Sequence, residues 1–474
     1  MNKDLFLIVT GRFILIGISL LALRLFTSLL NQEDVGTTYL IITVYTFFNI
    51  FLINPIEQYL HRNISVWKKC GNIVHVVNMQ TIYIGFITVL CTVTIFFISL
   101  LYEDYYKFLI ILPLFLFSLS VNKLIIPMLN MLGHRGWFIL FSVITAVLSL
   151  MFSWLMINVF YADVTTWILG IVFGHLFTSF FAYYFLYKKH GKRTSNHLFK
   201  PMNLLSSRRI SKIFYFSYPL AIATFFMWSQ NNGYRIQIEM FFGLEYLGFL
   251  GVGLAVANQL FVVIESLISQ YYYPLLYQKI GTRDLTLRCK AVNEFITSSV
   301  PIYFGLAIFL TFSIEYILPL LVDETYSDKF IFAIYGVWIE FFRVSSNLLG
   351  ISAHAENKTK ILVIPYVFGA LFLNVSLFVI SLFFENQNFL LPILVLSAVI
   401  TLLTMYIVIK KVLNISIPFK EMALSFVFVA PSAVYFFMVD FPRKLDLSYF
   451  SYLSVGGLMF LFGLLGYFFV VLKK

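Results

Sequence analysis

Charged residues are scarce in this chain. They make up 12% of its 474 residues, whereas 60% of the residues are hydrophobic. A soluble protein carries about 25% charged residues, so this composition excludes a soluble globular fold. The apolar runs are about 20 to 28 residues long, which is the length that a helix needs to cross a hydrocarbon layer about 30 Å thick. Because the alternating pattern of a membrane β-barrel is missing, we predict that the spans are helices.

Motifs for redox, metal or nucleotide chemistry are also missing. The three cysteines, Cys70, Cys91 and Cys289, are widely spaced and form no CxxC pair, which predicts neither a disulfide framework nor a metal site. The sequence contains no GxxxxGK(S/T) phosphate loop and no HExxH zinc motif. The longest connection between apolar runs, residues 188–212, leaves no room for a soluble catalytic domain. We therefore expect no enzymatic activity, no metal and no cofactor.

The apolar runs predict about 14 transmembrane helices. The first run, Leu5 to Leu30, has no small-residue cleavage pattern and is expected to be an uncleaved span. The predicted spans lie near residues 5–30, 38–60, 78–101, 107–132, 137–160, 164–187, 213–241, 246–273, 294–321, 330–353, 361–383, 389–409, 421–439 and 448–472. The fold class expected from this pattern is an all-α polytopic membrane protein.

The connections between these spans alternate in charge, which predicts their orientation. One set is rich in Lys and Arg and includes residues 61–70, 188–212 and 278–290. The other set is short and mostly acidic, with NQED at 31–34 and VDETYSD at 322–328. The excess of positive charge on cytoplasmic loops therefore places the basic set and both termini in the cytoplasm. The net charge of +11 follows from this topology and does not indicate a nucleic-acid partner.

An internal repeat predicts two related halves. Arg24 is followed by LFTSLLNQEDVG, and Arg235 is followed by IQIEMFFGLEYLG, so each arginine precedes an acidic turn and a glycine. A second pair of similar segments, NMLGHRG at 130–136 and NLLGISAHAENK at 347–358, follows the fourth and tenth spans. These echoes favour two pseudo-symmetric six-helix bundles with a central cavity between the repeats. The predicted domains are an N-terminal lobe at 1–187, a basic cytoplasmic linker at 188–212, a C-terminal lobe at 213–412, and two additional helices at 413–474.

The stretch FSYPLAIATFFMWSQNNGYRIQIEMFFGLEYLGFLGVGLAVANQL, residues 216–260, resembles the O-antigen and capsule repeat-unit flippases of the polysaccharide transporter family. These flippases belong to the multidrug/oligosaccharidyl-lipid/polysaccharide (MOP) exporter superfamily. The resemblance rests on Pro219, on Arg235, and on the turn that contains Leu244, Leu247 and Gly248. The chain departs from the family at Tyr234, where the family usually has Asp.

The resemblance implies a function. Such a flippase would move a polyprenyl-pyrophosphate-linked oligosaccharide from the cytoplasmic to the outer leaflet of the bacterial inner membrane by alternating access. An H⁺ or Na⁺ gradient would drive it, and a polysaccharide polymerase is a further partner that the resemblance suggests. The alternatives are a flippase for the peptidoglycan lipid precursor, a cation-coupled multidrug exporter of the same superfamily, and a membrane polymerase or ligase for sugar chains.

Charged residues inside the spans are the candidate functional residues. Each one costs about 2.5–3.5 kcal/mol near the middle of a span, so each needs a partner, water or a function. They are Arg12, Arg24, Lys123, Arg235 and Arg343 on the positive side and Glu57, Glu239, Glu265, Glu315 and Glu340 on the negative side. Positive charge predominates in the first bundle and negative charge in the second. This distribution favours an anionic substrate and a coupling cation.

We therefore predict two sets of site residues. The cations that would line a cavity and bind the substrate phosphates are Arg24, Lys123, Arg235, Arg343 and Arg12. The carboxylates that would bind a coupling cation are Glu265, Glu340 and Glu239. Simpler interpretations remain open. The long side chains of Arg12 and Arg24 can extend to a membrane face. Arg235 can pair with Glu239 on one helix face, and Arg343 can pair with Glu340 in the same way. Glu57 can lie at the membrane interface. His175 is expected to be a neutral histidine bonded to a neighbouring helix.

Overall fold

The structure is a computed structural model that describes residues 3–101, 106–191, 207–280, 284–356, 359–383, 389–439, 441 and 446–472. All regular secondary structure in this part of the chain is helical. Several charged connections used to predict orientation lie outside the described residues, namely 102–105, 192–206, 281–283, 357–358, 384–388, 442–445 and the final two lysines. Most of the predicted basic linker is among them.

The chain divides into two compact units, Met1–Ile236 and Gln237–Lys474. The division falls just after Arg235, so the first part of the predicted seventh span packs within the first unit. The lobe limits predicted at 187, 212 and 412 stay predictions.

Nine α-helices and two π-helical turns form the described part of the first unit, and a further helix begins in it. The α-helices are α1 (Lys3–Leu29), α2 (Gln32–Phe47), α3 (Asn54–Arg62), α4 (Ile64–Lys69), α5 (Ile73–Leu101), α6 (Phe108–Met131), α7 (Arg135–Val159), α8 (Val164–His190) and α9 (Ser207–Trp228). The π-helical turns are Phe48–Ile53, between α2 and α3, and Ser229–Gly233, directly after α9. Helix α6 packs against α5, α7 and α8, whereas α9 packs against α3 and the first π-helical turn.

The helix α10 (Tyr234–Ile280) starts in the first unit and continues into the second. It contains the end of the predicted seventh span and the whole of the eighth, which are separated at Gly243 by non-helical dihedral angles, φ 84° and ψ 172°. A positive φ is accessible to glycine because it has no Cβ. The remaining α-helices of the second unit are α11 (Leu285–Leu321), α12 (Glu324–Ser327), α13 (Phe330–Ala355), α14 (Val363–Phe383), α15 (Leu390–Lys410), α16 (Phe419–Met438) and α17 (Leu447–Tyr467). A 3₁₀-helix, Thr359–Leu362, precedes α14, and a π-helical turn, Phe468–Leu472, follows α17. Helices α16 and α17 pack against α11 and each other.

Twelve helical segments of the described chain are long and apolar enough to cross a membrane. One of them, Ile210–Ser269, is 60 residues long and contains the predicted seventh and eighth spans. The predicted tenth span coincides with α13, which is not one of the twelve. Every predicted span therefore coincides with a helix. The prediction of an all-α, multi-pass membrane fold is confirmed.

Asparagine and aspartate side chains of the connections cap the first turn of several helices. Asn31 accepts a hydrogen bond from the backbone N–H of Asp34 at 2.7 Å. Asp323 and Asp446 accept hydrogen bonds from the helical N–H groups of Thr325 and Tyr449, and Asp163 forms a capping box at the start of α8. Such caps satisfy orphan donors and place negative charge at the positive end of the helix dipole. The acidic character of the connections predicted to face outward thus has a local structural cause.

Small residues allow α7 and α8 to approach closely. A Cβ added to Gly170 would lie 2.2 Å from the backbone nitrogen of Ser153, and one added to Gly174 would lie 2.5 Å from that of Ser149. Small residues at helix crossings are typical of membrane proteins, where close backbone packing takes the place of a hydrophobic driving force. This contact holds α7 and α8 together in the half that adjoins their short connection, residues 160–163.

Candidate functional site

Arg235 is the second residue after the π-helical turn Ser229–Gly233. Its guanidinium carbon is 5.3 Å from the centroid of the Tyr39 ring on α2, within the range of a cation–π interaction. The Nε atom of Arg235 is buried and has no hydrogen-bond partner in the described chain. Within the described residues, no carboxylate lies within 4.0 Å of its nitrogens. Arg235 therefore retains unused donors, and the pairing with Glu239 that the sequence allowed does not occupy them.

The segment that carries Arg235 is attached to α2. The indole N–H of Trp228 donates a hydrogen bond to the Thr43 carbonyl oxygen at 3.0 Å, and its ring contacts Phe47 with centroids 4.9 Å apart. The added Cβ of Gly233 would lie 3.2 Å from the Trp228 ring. The π-helical turn and this tryptophan together position Arg235 next to Tyr39. Isolated π-helical turns occur frequently at functional sites.

Lys123 is the second cation of the first unit that contacts α2. Its side chain is exposed, although its neighbours Asn122 and Leu124 on α6 are buried. The Nζ atom lies 5.1 Å from the centroid of the Tyr45 ring. No carboxylate of the described chain is within 4.0 Å of this ammonium group either. Lys123 and Arg235 thus contact two tyrosines of one helix.

The two arginines of α1 differ in exposure. Arg12 is exposed, and Arg24 is half-buried. Two residues after Arg24, the Phe26 ring contacts the Tyr39 ring edge-to-face with centroids 6.2 Å apart. Helix α1 therefore reaches the same tyrosine that Arg235 contacts, whereas the role of Arg12 stays a prediction.

A buried polar network lies beside Lys123. The Asn122 amide donates to the Thr178 and Ser179 hydroxyls on α8, both at 3.1 Å. One helical turn earlier, His175 Nδ1 lies 3.1 Å from the Ser149 hydroxyl on α7. The expectation that His175 bonds to a neighbouring helix is therefore confirmed. The network joins α6, α7 and α8 and holds the segment of α6 from which Lys123 projects.

Glu57 is buried within the first unit, and its expected position at the membrane interface stays a prediction. Its residue exposure is 8%, and its Oε1 atom is 3.6 Å from His61 Nε2 one turn further along α3. The preceding π-helical turn and the hydrogen bond from the Ser217 hydroxyl to the Pro55 carbonyl at 3.1 Å hold this part of α3 against α9.

The second unit contains an ion-pair cluster. Arg343 Nε and Nη2 each lie 2.7 Å from Glu340 Oε2, and Nη2 lies 3.5 Å from Glu265 Oε2. The side chains are 25%, 11% and 29% exposed for Arg343, Glu340 and Glu265, respectively. Three of the predicted site residues, from α10 and α13, therefore meet. With both carboxylates ionised, the cluster carries one net negative charge.

Arg343 thus differs from Arg235 and Lys123, although all three were predicted to be cavity cations. Its guanidinium is bound by two carboxylates, and the cluster as a whole attracts a cation. Glu239 is half-buried on α10 and forms no ion pair within the described residues. Nearby on α10, the Gln237 amide donates to Asn374 Oδ1 at 3.1 Å. No group of three or more His, Cys, Asp or Glu in the described chain is arranged to hold a metal.

Sequence reasoning missed the two tyrosines. Tyr39 and Tyr45 are among 29 tyrosines in the chain, and no local motif distinguishes them from residues that pack against lipid. Only the register between α2, α6 and the π-helical turn reveals them.

Comparison with known proteins identifies the fold. The lipid II flippase MurJ in an inward closed conformation aligns with a TM-score of 0.69 at 13% identity, and the alignment covers 99% of each chain. An inward-facing MATE family multidrug resistance transporter of the MOP superfamily aligns with a TM-score of 0.63 at 14% identity, covering 84% of this chain and 94% of that one. An outward-facing MATE structure aligns with a TM-score of 0.62 at 13% identity, covering 87% and 96%.

These likenesses establish the architecture. The chain has the fold of MOP-superfamily transporters and is a multi-pass membrane protein. No protein-family model matches it. No curated protein sequence matches it either.

Proposed function

We propose that the protein is a flippase that moves a polyprenyl-pyrophosphate-linked oligosaccharide repeat unit from the cytoplasmic to the outer leaflet by alternating access. The observation that carries this proposal is the state of the cations in the first unit. Lys123 lies well inside its predicted span (107–132), and Arg235 lies towards the end of its own (213–241). Both contact tyrosine rings and have no carboxylate within 4.0 Å in the described chain. Such groups are costly in a membrane unless an anion or water compensates them.

A pyrophosphate fits these cations chemically. Arginine presents up to five N–H donors in a planar fork that matches phosphate oxygens, and lysine adds a compact positive charge. The unpartnered Nε of Arg235 provides one such donor. Arg24 and Arg12 are proposed to extend the positive surface along α1. Transport breaks no covalent bond, so no catalytic residue is required.

The acidic cluster of the second unit is proposed to bind the coupling cation. Glu265, Glu340 and Arg343 carry a net negative charge, and the side chains of Glu265 and Arg343 are more than a fifth exposed. A proton or Na⁺ that binds Glu265 would weaken its contact with Arg343, which at 3.5 Å is already the longer of the two. Glu239 is the third candidate. Cation binding could thereby alter how α10 and α13 are held together.

A second candidate function is the transport of the peptidoglycan lipid precursor. The observation in its favour is the alignment with the MurJ lipid II flippase over 99% of both chains. A multidrug exporter is less well supported, because the first six predicted spans contain one embedded acid, Glu57, to hold a cationic drug. Both lipid substrates carry a pyrophosphate, so the cation arrangement serves either of them.

Complementation separates the two lipid substrates. The chain would be expressed in one strain that lacks its repeat-unit flippase and in another whose lipid II flippase can be depleted. We expect it to restore surface polysaccharide in the first strain and not to support growth of the second. If the protein supports growth of the second strain and does not rescue the first, its substrate is lipid II. If a well-expressed protein rescues neither strain, the flippase proposal is refuted.

The remaining part of the proposal is the orientation of the protein in a bacterial inner membrane, with both termini on the cytoplasmic side. In a variant without its native cysteines, Glu324→Cys would react with an impermeant maleimide from outside the cell. Lys411→Cys would react only after the membrane is permeabilised. The reverse labelling pattern would overturn the proposed orientation.

A further inference from the structure

A groove of about 550 Å³ lies on the surface of the first unit between α7 and α8. Helix α7 contributes Trp137, Leu140, Phe141 and Ile144, one helical stripe at spacings of three and four residues. Helix α8 contributes a phenylalanine-rich stripe that ends in Lys188 and Lys189. The volume lies within the range of about 300–1,000 Å³ that is usual for ligand pockets. Neither the proposed transport site nor the acidic cluster uses any of these residues.

The groove exists because α7 and α8 are packed differently along their length. Near Gly170 and Gly174 their backbones are in close contact. Towards the other end, the Trp137 and Phe185 rings lie between the helices with centroids 4.4 Å apart and planes 31° apart. Contact there is made by large side chains instead of backbone. The space beside these rings is the groove.

The walls of the groove are apolar and open to the surroundings of the unit. Trp137, Leu140, Phe177 and Phe181 are 43–49% exposed. On a helix that spans a membrane, such side chains face lipid tails. The walls therefore suit a hydrocarbon chain and offer few hydrogen bonds to a polar ligand.

The mouth of the groove is strongly basic and has no acidic counterpart. Lys188 and Lys189 are exposed in the last turn of α8. Lys68 lies near the same end, since its Nζ donates to the Leu132 carbonyl at 3.1 Å. No Asp or Glu occurs between Asp104 and Asp163 or between Asp163 and Glu239. Neither α7 nor α8 can therefore neutralise these lysines with an acid of its own.

Together these features describe an amphipathic site, with hydrocarbon walls and a cationic mouth at the end predicted to be cytoplasmic. We propose that the groove binds an anionic glycerophospholipid of the bilayer, with one acyl chain along the phenylalanine stripe and the phosphate at Lys188 and Lys189. Basic residues at this depth attract anionic headgroups and contribute to binding additively. The bound lipid would cover the seam between α7 and α8, and thus support the helices that hold the Asn122 network.

Native mass spectrometry of the full-length, delipidated protein tests this proposal. The protein would be titrated with phosphatidylglycerol and with phosphatidylcholine of the same acyl chains. We expect the wild type to prefer phosphatidylglycerol. We also expect Lys188→Gln/Lys189→Gln to weaken phosphatidylglycerol binding by about 25-fold, at about fivefold per lysine. The lysines are exposed, so these variants should fold normally.

Matched variants separate the site from general headgroup attraction. Lys410→Gln/Lys411→Gln removes a second pair of lysines, at the end of α15, that does not line the groove, and should leave binding within twofold of the wild type. Ile144→Trp fills the groove without changing charge and should weaken binding, whereas Val147→Trp, on an exposed position of α7 outside the groove, should not.

Several outcomes would overturn the proposal. Equal binding of the two phospholipids by the wild type would remove the role of the lysines. Equal losses in the two lysine pairs, or unchanged binding in Ile144→Trp, would show that no groove site exists. Tighter binding of undecaprenyl phosphate at the Ile144-sensitive site would assign the groove to a polyprenyl carrier instead of a phospholipid. None of these results depends on what the protein transports.

Discussion

Replacement of Arg235 by glutamine should abolish most transport and hardly change stability. Most embedded arginines cannot be removed in this way, because their loss leaves a carboxylate unpaired. Arg235 has no carboxylate within 4.0 Å in the described chain, and its Nε already lacks an acceptor. The folded protein loses only the cation–π contact with Tyr39, which is worth about 0.5–2 kcal/mol.

The expected cost for transport is larger. A hydrogen bond to a charged group contributes about 1.5–3 kcal/mol, so losing one such bond to the pyrophosphate should lower the transport rate about 10- to 150-fold. Arg235→Lys keeps the charge and loses the planar fork, and it should retain an intermediate rate. The melting temperature of both variants should change by no more than about 4 °C.

The assay is the flipping of a fluorescent polyprenyl-pyrophosphate oligosaccharide in proteoliposomes, with thermal unfolding of the same preparations measured in parallel. The control is Lys107→Gln, which removes a cation 5.4 Å from the Phe108 ring at the start of α6. This control loses a similar contact outside the proposed site and should transport normally. Transport by Arg235→Gln within twofold of the wild type would refute the reasoning, as would a transport loss that parallels a large loss of stability.

Three further predictions concern other parts of the structure. Arg343→Gln should lower the free energy of unfolding by about 3–5 kcal/mol, because it leaves two carboxylates unpaired. The double variant Glu340→Gln/Arg343→Gln should regain part of the stability lost in Arg343→Gln, as measured by thermal unfolding. Gly170→Ala should cost about 1–3 kcal/mol by thermal unfolding, because the added Cβ would lie 2.2 Å from the backbone of Ser153; an unchanged melting temperature would contradict the close packing. Burial and neighbouring lysines lower the pKa of His134 from its ordinary value of 6.5. The unfolded chain therefore binds a proton at this histidine at a higher pH than the folded protein does. The stability that neutral His134 contributes is complete above pH 6.5 and is lost as the pH falls towards the lowered pKa. The melting temperature should therefore fall less between pH 7.5 and 5.5 in His134→Gln than in the wild type, and identical pH profiles would contradict this.

Much of the fold follows from the sequence because membrane insertion constrains each span separately. A run of about 20 apolar residues must form a helix to satisfy its backbone, whatever its neighbours are. The predicted spans therefore coincide with helices. The seventh and eighth spans lie in one continuous helical segment, and the positive φ of Gly243 marks the division between them.

The site was less predictable because it depends on contacts between helices. The sequence places Arg235, Lys123 and Arg343 in the same class of embedded cations. The structure separates them, since Arg343 is held by Glu340 and Glu265, whereas the other two contact tyrosine rings and have no carboxylate within 4.0 Å in the described chain. Whether an embedded charge is paired depends on helix rotation, which hydropathy does not encode. Glu57 shows the same limit, because its burial results from the packing of α3 against α9.

The π-helical turn before Arg235 has a consequence for comparing this chain with others. A π-helical turn closes its hydrogen bonds over one more residue than an α-helical turn, and one residue corresponds to about 100° of rotation around a regular helix. A homologue whose seventh span is regular would point the equivalent position in a different direction. An alignment that matches Arg235 column by column can therefore pair side chains on different faces, and superposition of Cα positions is the sounder way to find its counterpart.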